Sequence, residues 1–268
     1  MPDAPVVIID AGSCQWLCGY DDDSGPGVVL PGGSDTPALL NTALKELDTE
    51  PSEVAILLSE YPGTLVSQRA KIAAELFACG VLAVHIAAAP RLALLHTGFD
   101  TGVLVDVGER SAFIVALYAG FDVFHAATVH PLAARAEGDG PDERDHVAGV
   151  REALLRTVAL ADASIREGLL SHIVLAGGGT MQQPSFRDRL QEELEDACAQ
   201  AKWKPRVVAN ADRRLTCWLG GAVFSSLPSN EDRFVTQAEV EADPSLLEQQ
   251  QHWYTPLACL PIDALEAH

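Results

Sequence analysis

The sequence predicts an α/β protein built from two related lobes around a cleft. Three observations carry that expectation. First, the β-branched run Val6 to Asp10 (VVIID) ends in an aspartate with a glycine two residues on, and Val103 to Asp106 (VLVD) repeats the pattern. Second, each run is followed by a candidate return strand and then by further strands and helices in similar order. Third, 48% of the 268 residues are hydrophobic, enough to fill a sizeable core and to exclude disorder of the bulk. Length alone suggests one or two domains.

The elements follow in order. After Val6 to Asp10, the stretch Trp16 to Tyr20 (WLCGY) returns as the second strand of a hairpin. GPGVVLPGG, Gly25 to Gly33, holds a short strand between turn signals. Thr36 to Leu47 reads as a helix, with Leu39, Leu40, Ala43 and Leu47 at helical spacing. Val54 to Leu58 is a buried strand, Ser67 to Cys79 a helix, and Val84 to Ile86 a strand. Pro90 to Leu95 is a short helix with proline near its first turn.

The pattern then restarts. Val103 to Asp106, Ser111 to Leu117 and Phe121 to Thr128 read as three strands. Ala134 to Asp145 is a polar, acidic loop. Val147 to Leu170 reads as one helix, with Val150, Leu154, Val158 and Leu160 among its apolar positions. Ile173 to Leu175 is a buried strand running into Ala176-Gly177-Gly178-Gly179-Thr180. Phe186 to Ala201 is an amphipathic helix, Arg206 to Ala209 a strand, and Trp218 to Ser226 a helix whose Gly220-Gly221 allows close packing. The last forty residues are polar and irregular, with a weak helix at Thr236 to Glu241.

Charge and cysteine usage exclude several classes. Eighteen basic residues against 38 acids give a formal charge of −20, with a pI near 4.6. Phosphate-backbone binding needs clustered Lys and Arg, so nucleic acid is excluded as a partner, and anionic membrane surfaces are disfavoured. An acid-rich surface with four lysines aids solubility and fits a salty cytoplasm. The opening MPDAPVVIID has no basic region typical of a secretion signal, and no stretch approaches the ~20 apolar residues of a membrane helix. The six cysteines form no CxxC pair, so they read as reduced thiols of a cytoplasmic protein. Cys14 and Cys18 flank a turn and read as a buried reduced pair, the alternative being opposite-strand thiols that pair under oxidation. His85, His96, His125 and His130 match no metal-binding spacing. The acids Glu192, Glu193, Glu195 and Asp196 read as the wet face of a helix, the alternative being a docking surface for a basic partner. Trp16, Trp203 and Trp218 read as packing residues, and Trp253 as the one suspected of a contact.

The two hairpins suggest a chemistry. A glycine after a strand-end carboxylate lets the backbone turn sharply and turn its N–H groups toward a phosphate. The carboxylate can hold the water shell of Mg²⁺. Two such hairpins would clamp a polyphosphate between the lobes, and Gly177-Gly178 would let a nucleoside lie against backbone. Taken singly, each hairpin is also what a plain turn looks like.

The chain resembles actin and the actin-related proteins. IIDAGS (Ile8 to Ser13) and VLVDVGER (Val103 to Arg110) resemble the family's two phosphate loops. ILLSEYP (Ile56 to Pro62) resembles its strand with TEAP. HIVLAGGGTMQQPSFRDRLQEEL (His172 to Leu194) resembles the LSGGTTM segment with its helix. RRLTCWLGGAVFSSL (Arg213 to Leu227) resembles RKYSVWIGGSILASL, and FVTQAEV (Phe234 to Val240) the C-terminal WISKxEY. The resemblance covers nearly the whole chain in order, its last three segments being the most specific.

The resemblance implies an actin-like ATPase fold, two ribonuclease-H-like lobes around a cleft with the outer subdomains absent. Only a short linker stands between Gly32 and Ala38, where the family inserts its second subdomain with the self-association loop. The acidic loop between Ala134 and Val147 replaces the fourth. Residues 1–96 with 216–268 are expected to form the subdomain-1-like lobe, and 97–215 the subdomain-3-like lobe. Asp10, Gly12, Ser13, Asp106, Gly108, Gly177 and Gly178 match the family's phosphate, Mg²⁺ and nucleoside contacts, and Arg214 stands near the adenine position in place of a lysine. Asp10 and Asp106 are the implied Mg²⁺ carboxylates.

Other positions depart from the family. Leu17 stands where a lysine meets the phosphates, and Cys14 and Arg110 where the hairpins have glycine. Ala89 stands where a glutamine places the attacking water, and Phe113 where a histidine assists it. An apolar leucine cannot compensate phosphate charge. Losing one preorganised catalytic group costs about 3–4 kcal/mol of transition-state stabilisation. Arg110 has two readings, an inward replacement charge or a solvated turn residue. No tightly bound cofactor is expected, ATP or ADP with Mg²⁺ being the candidate ligand. The expected role is a non-hydrolysing scaffold or assembly subunit that works through protein partners or self-association, without the family's usual longitudinal contact. The alternative is an ATP-binding, filament-forming homologue with weak ATPase activity. A small-molecule kinase of the wider sugar-kinase and heat-shock-ATPase fold is disfavoured, because the C-terminal third resembles actin and no substrate-binding segment stands out.

Overall fold

A computed structural model describes residues 4–60, 66–109, 111–131, 143–181 and 183–249. They fall into two compact units, 4–96 with 217–249 and 97–216.

The first unit opens with β1 (Val6–Ala11), β2 (Gln15–Tyr20) and β3 (Val28–Pro31), an antiparallel meander. Asp35 then caps α1 (Thr36–Glu46) by accepting the Ala38 N–H at 3.1 Å, and Leu40, Ala43 and Leu44 form its buried face. β4 (Ala55–Glu60) adds parallel to β1, α2 (Val66–Ala78) crosses over, and β5 (Ala83–Ala88) adds parallel to β4. The sheet order is β3-β2-β1-β4-β5. Val7, Ile8 and Ile9 are all fully buried, as expected of a central strand covered on both faces. α3 (Ala89–His96) closes this part of the chain.

The second unit repeats the plan. β6 (Gly102–Val107), β7 (Ser111–Tyr118) and β8 (Phe121–Pro131) form an antiparallel meander. α4 (Glu143–Leu160) and α5 (Arg166–Leu170) follow, then β9 (Ile173–Ala176) parallel to β6. α6 (Phe186–Cys198) leads to β10 (Val207–Ala209), parallel to β9. The order β10-β9-β6-β7-β8 is the order of the first sheet with each strand replaced by its repeat. The internal repeat read from two aspartate hairpins therefore extends to all five strands.

β10 is an edge strand, and α6 takes the outer groups of Val207. Gln191 Oε1 accepts the Val207 N–H at 2.7 Å, and its Nε2 donates to the Pro205 carbonyl at 2.8 Å. Arg187 donates to the Val207 carbonyl at 3.1 Å.

The chain returns to the first unit through α7 (Thr216–Ser225), where Trp218 is fully buried. A Cβ on Gly220 would lie 1.9 Å from the Leu92 carbonyl oxygen, so only glycine lets α7 approach α3 this closely. α8 (Gln237–Ala242) starts on a capping box between Thr236 and Glu239, and α9 (Ser245–Gln249) ends the described chain.

The structure corrects three expectations. The helix expected over Val147 to Leu170 is broken after Leu160. Asp162 accepts the Ser164 N–H and hydroxyl at 2.8 and 2.6 Å, and Arg166 donates to the Ala161 and Ala159 carbonyls. These local bonds compete with helical ones and end α4. Leu160, expected on the apolar face, is 48% exposed at that break. Cys14 is exposed and only Cys18 is buried, so they are not a buried pair.

Candidate functional site

The first cluster sits at the β1–β2 turn. Asp10 lies near the end of β1 with its side chain buried, and Ser59 on β4 stands beside it in register and donates its hydroxyl to Asp10 Oδ1. Across the hairpin Asp10 faces Leu17, which is 4% exposed. The Gly12 N–H is shared between the Asp10 and Gln15 carbonyls at 3.2 and 3.1 Å, closing the turn on itself. Ser13 and Cys14 are exposed at its tip, where the Gly32 N–H donates to the Cys14 carbonyl at 2.8 Å. Cys18, one residue past Leu17, has its thiol pushed up to about 12 by burial, with Asp10 and Glu46 adding to the effect.

The second cluster is the repeat in the second unit. Asp106 near the end of β6 is buried and faces Phe113 across the hairpin, and Phe113 is 7% exposed. The Gly108 N–H donates to the Ser111 carbonyl at 2.9 Å. Beyond β9, the three glycines fold against this hairpin. Gly177 has φ +85°, and a Cβ there would lie 2.3 Å from Asp106 Oδ1. A Cβ on Gly179 would lie 2.0 Å from the Gly108 carbonyl oxygen. These two glycines are thus explained by contact with the chain's own backbone and with Asp106. Gly178 is exposed, and the Arg214 stem lies over it, with Cγ 3.2 Å from a Cβ built there.

Arginines anchor this loop. Arg213 donates to the Thr180 carbonyl and hydroxyl at 3.0 and 2.6 Å, and its own carbonyl accepts the Gly177 N–H at 3.1 Å. Arg214 grips Asp212 through two guanidinium nitrogens at 2.9 and 2.5 Å, which holds the Asp212 carboxyl below its usual range. An arginine so paired is a fixed planar group rather than a roaming charge.

The sequence-predicted residues therefore separate cleanly. Asp10, Gly12 and Ser13 gather at one turn of the first unit, and Asp106, Gly108, Gly177, Gly178 and Arg214 in one loop cluster of the second. Ala89, at the start of α3, is fully buried. Arg110 lies outside the described residues, as do Trp253 and the region around Ala134. Sequence reasoning missed Ser59, Gly179, Asp212 and Arg213. Only Ser59 left a signal, since aligning β4 beside β1 puts a hydroxyl next to Asp10. Among the described residues, no group of three or more His, Cys, Asp or Glu is placed to hold a metal ion, and no helix is long and apolar enough to cross a membrane.

Comparison with known proteins adds a relationship. A family model described as Actin matches residues 33–139 and 135–250. The Dictyostelium discoideum protein named "Putative actin-29" is 35% identical over 94 residues, which is 34% of this chain. That match spans only 24% of the relative's own length.

Proposed function

The chain belongs to the actin family, and from that premise we propose that it is a non-hydrolysing structural member, a scaffold or assembly subunit with a degenerate nucleotide site. One observation carries the reading. The positions directly opposite Asp10 and Asp106 are held by the buried apolar side chains of Leu17 and Phe113. By resemblance these are the places of a phosphate-binding lysine and a water-assisting histidine. Ala89, in the place of the water-positioning glutamine, is a buried methyl group. Each lost polar group removes about 3–4 kcal/mol of transition-state stabilisation, and such losses are not simply additive.

Asp10 and Asp106 still offer carboxylate oxygens, the donor type Mg²⁺ takes, so the acids fit the ion. Leu17 does not fit the phosphates, because nothing in its side chain compensates their charge. No hydrolytic step is therefore assigned to these residues. β3 ends at Pro31 and α1 begins at Thr36, so a folded insert with a self-association loop has no place between them. Partners are then proteins or copies of this chain that meet surfaces other than the family's usual longitudinal contact.

A second reading is favoured by the second unit, where Asp106, Gly108, Gly177, Gly178 and Arg214 gather in one loop cluster. It is an ATP-binding, filament-forming homologue with weak ATPase activity. Calorimetric titration with Mg-ATP, paired with a phosphate-release assay, decides between them. The first reading expects no phosphate release, and micromolar binding with steady release would replace it by the second.

A further inference from the structure

A row of cations interrupts the acidic surface of the second unit. Two of the chain's four lysines, Lys202 and Lys204, stand with Arg206 in the run KWKPR, and no Asp or Glu occurs between Asp196 and Asp212. All three cations are exposed, whereas Trp203 is half-buried against the core and Pro205 and Val207 are buried. That alternation has the period of an extended chain. Lys204 and Arg206 therefore share one side and the apolar residues the other, with Lys202 at the turn before them. At about 3.3 Å per residue, the run from Lys202 to Arg206 spans no more than roughly 13 Å.

Backbone contacts hold the row in place. Lys202 has φ +58° after the 3-10 turn Ala199–Ala201, and its N–H donates to the Ala199 carbonyl at 3.2 Å. The Pro205 carbonyl accepts from Gln191 Nε2 at 2.8 Å. The Arg206 N–H donates to the Leu170 carbonyl at 3.0 Å, and its carbonyl accepts the Ile173 N–H at 2.8 Å. Among the described residues, none of the three cationic side chains has an ion-pair partner. Glu195 borders the row but receives the Gln191 amide at 2.6 Å instead. A cation at Lys202 suits the last carbonyls of the helix it follows, so it has a local cause. Lys204 and Arg206 lie beyond that turn and have no such cause.

We propose that Lys202, Lys204 and Arg206 dock a short acidic segment of a partner protein. Cations that are exposed, unpaired and carried on a fixed backbone can take carboxylates without first breaking an ion pair. The length of the row selects the partner. Glu192, Glu195 and Asp196 are exposed on α6, the helix that leads into it. A long polyanion, such as nucleic acid or an anionic membrane, overruns the row and meets those acids, whereas a segment with a few carboxylates fits within it. The outer backbone groups of Val207 are already taken by Gln191 and Arg187, so the contact runs through side chains rather than by strand addition. The inference rests on the scaffold reading only for there being a protein partner. Its test contains no nucleotide, so the two fail separately.

The test uses the full chain and a short fluorescent peptide in which glutamate alternates with serine, with anisotropy read at low salt. The chain should bind this peptide and not its glutamine counterpart. Lys204→Gln with Arg206→Gln, which leaves the backbone bonds of the row in place, should weaken binding at least about fivefold. Lys71→Gln, at an exposed lysine on α2 in the first unit, should leave binding unchanged. At physiological ionic strength, where the Debye length is about 8 Å, binding to the unaltered chain should fall several-fold. No binding, equal binding by the double variant, or an equal loss with Lys71→Gln overturns the proposal. Tighter binding of a thymidine oligonucleotide of matched charge, or of phosphatidylserine vesicles, overturns it too, because the row would then serve a polyanion rather than a protein segment.

Discussion

Asp10 stands directly opposite Leu17 across the β1–β2 ladder, so an apolar side chain covers the flank of a buried carboxylate. Asp106 and Phe113 repeat the arrangement in the second unit. Leu17→Lys therefore places a cation where phosphates would need one. Mg-ATP affinity, measured by calorimetry, should rise by at least about tenfold, the size of one charge-assisted hydrogen bond. Unchanged affinity would mean that the turn is not a nucleotide site even in degenerate form.

Gly177→Ala should destabilise the chain by about 2 kcal/mol or more, because φ +85° strains any L side chain and the new methyl would meet Asp106 Oδ1. Gly25→Ala is the control. A Cβ there meets nothing within 4 Å, and its effect should stay within about 0.5 kcal/mol. Denaturant midpoints compare the two, and equal midpoints would remove the packing argument for the glycine run.

His85 couples stability to acid. Burial lowers its pKa to about 3, its hydrogen bond to the Arg233 carbonyl opposes the shift, and Arg233, Arg69 and Arg91 add to it. Between pH 6.5 and about 3 the unfolded chain binds a proton on this ring that the folded chain does not. The contribution of His85 is therefore fully present above pH 6.5 and is lost below it by about 1.4 kcal/mol per pH unit down to about pH 3. His85→Phe should reduce the slope of unfolding free energy against pH by one proton over that window. An unaltered slope would assign the acid sensitivity elsewhere, His130 being next in line because burial lowers its pKa too.

The thiols should differ in reactivity. Cys14 is exposed at the β1–β2 tip, whereas the buried Cys18 thiol is pushed up to about 12. At pH 8, peptide mapping after brief maleimide treatment should find Cys14 labelled at least about tenfold faster than Cys18. Comparable rates would show that the hairpin opens readily.

What the sequence makes legible follows from where the information sits. The runs VVIID and VLVD reveal central strands because burial on both faces demands uninterrupted apolar residues, and the aspartates at their ends mark both turns. Gly220-Gly221 announces close packing, although the Leu92 carbonyl that requires it is far away in sequence. The break after Leu160 is less visible, since Asp162, Ser164 and Arg166 also suit a helix surface and only their bonds to backbone stop it. Within the candidate site, Asp10 and Asp106 were readable as strand-end acids. The separate jobs of Gly177, Gly178 and Gly179 were not, because they depend on which neighbour each one touches. Arg69 bonds Glu60, nine residues before it, and the Leu247 carbonyl, 178 residues after it, and no local pattern encodes the second contact.

Sheets that end in a bare strand invite uncontrolled stacking of chain on chain. At β10 the side chains of Gln191 and Arg187 already imitate the neighbour that such a strand would recruit. At Val207 that rim is already occupied from within, so a strand added there would first have to displace both side chains.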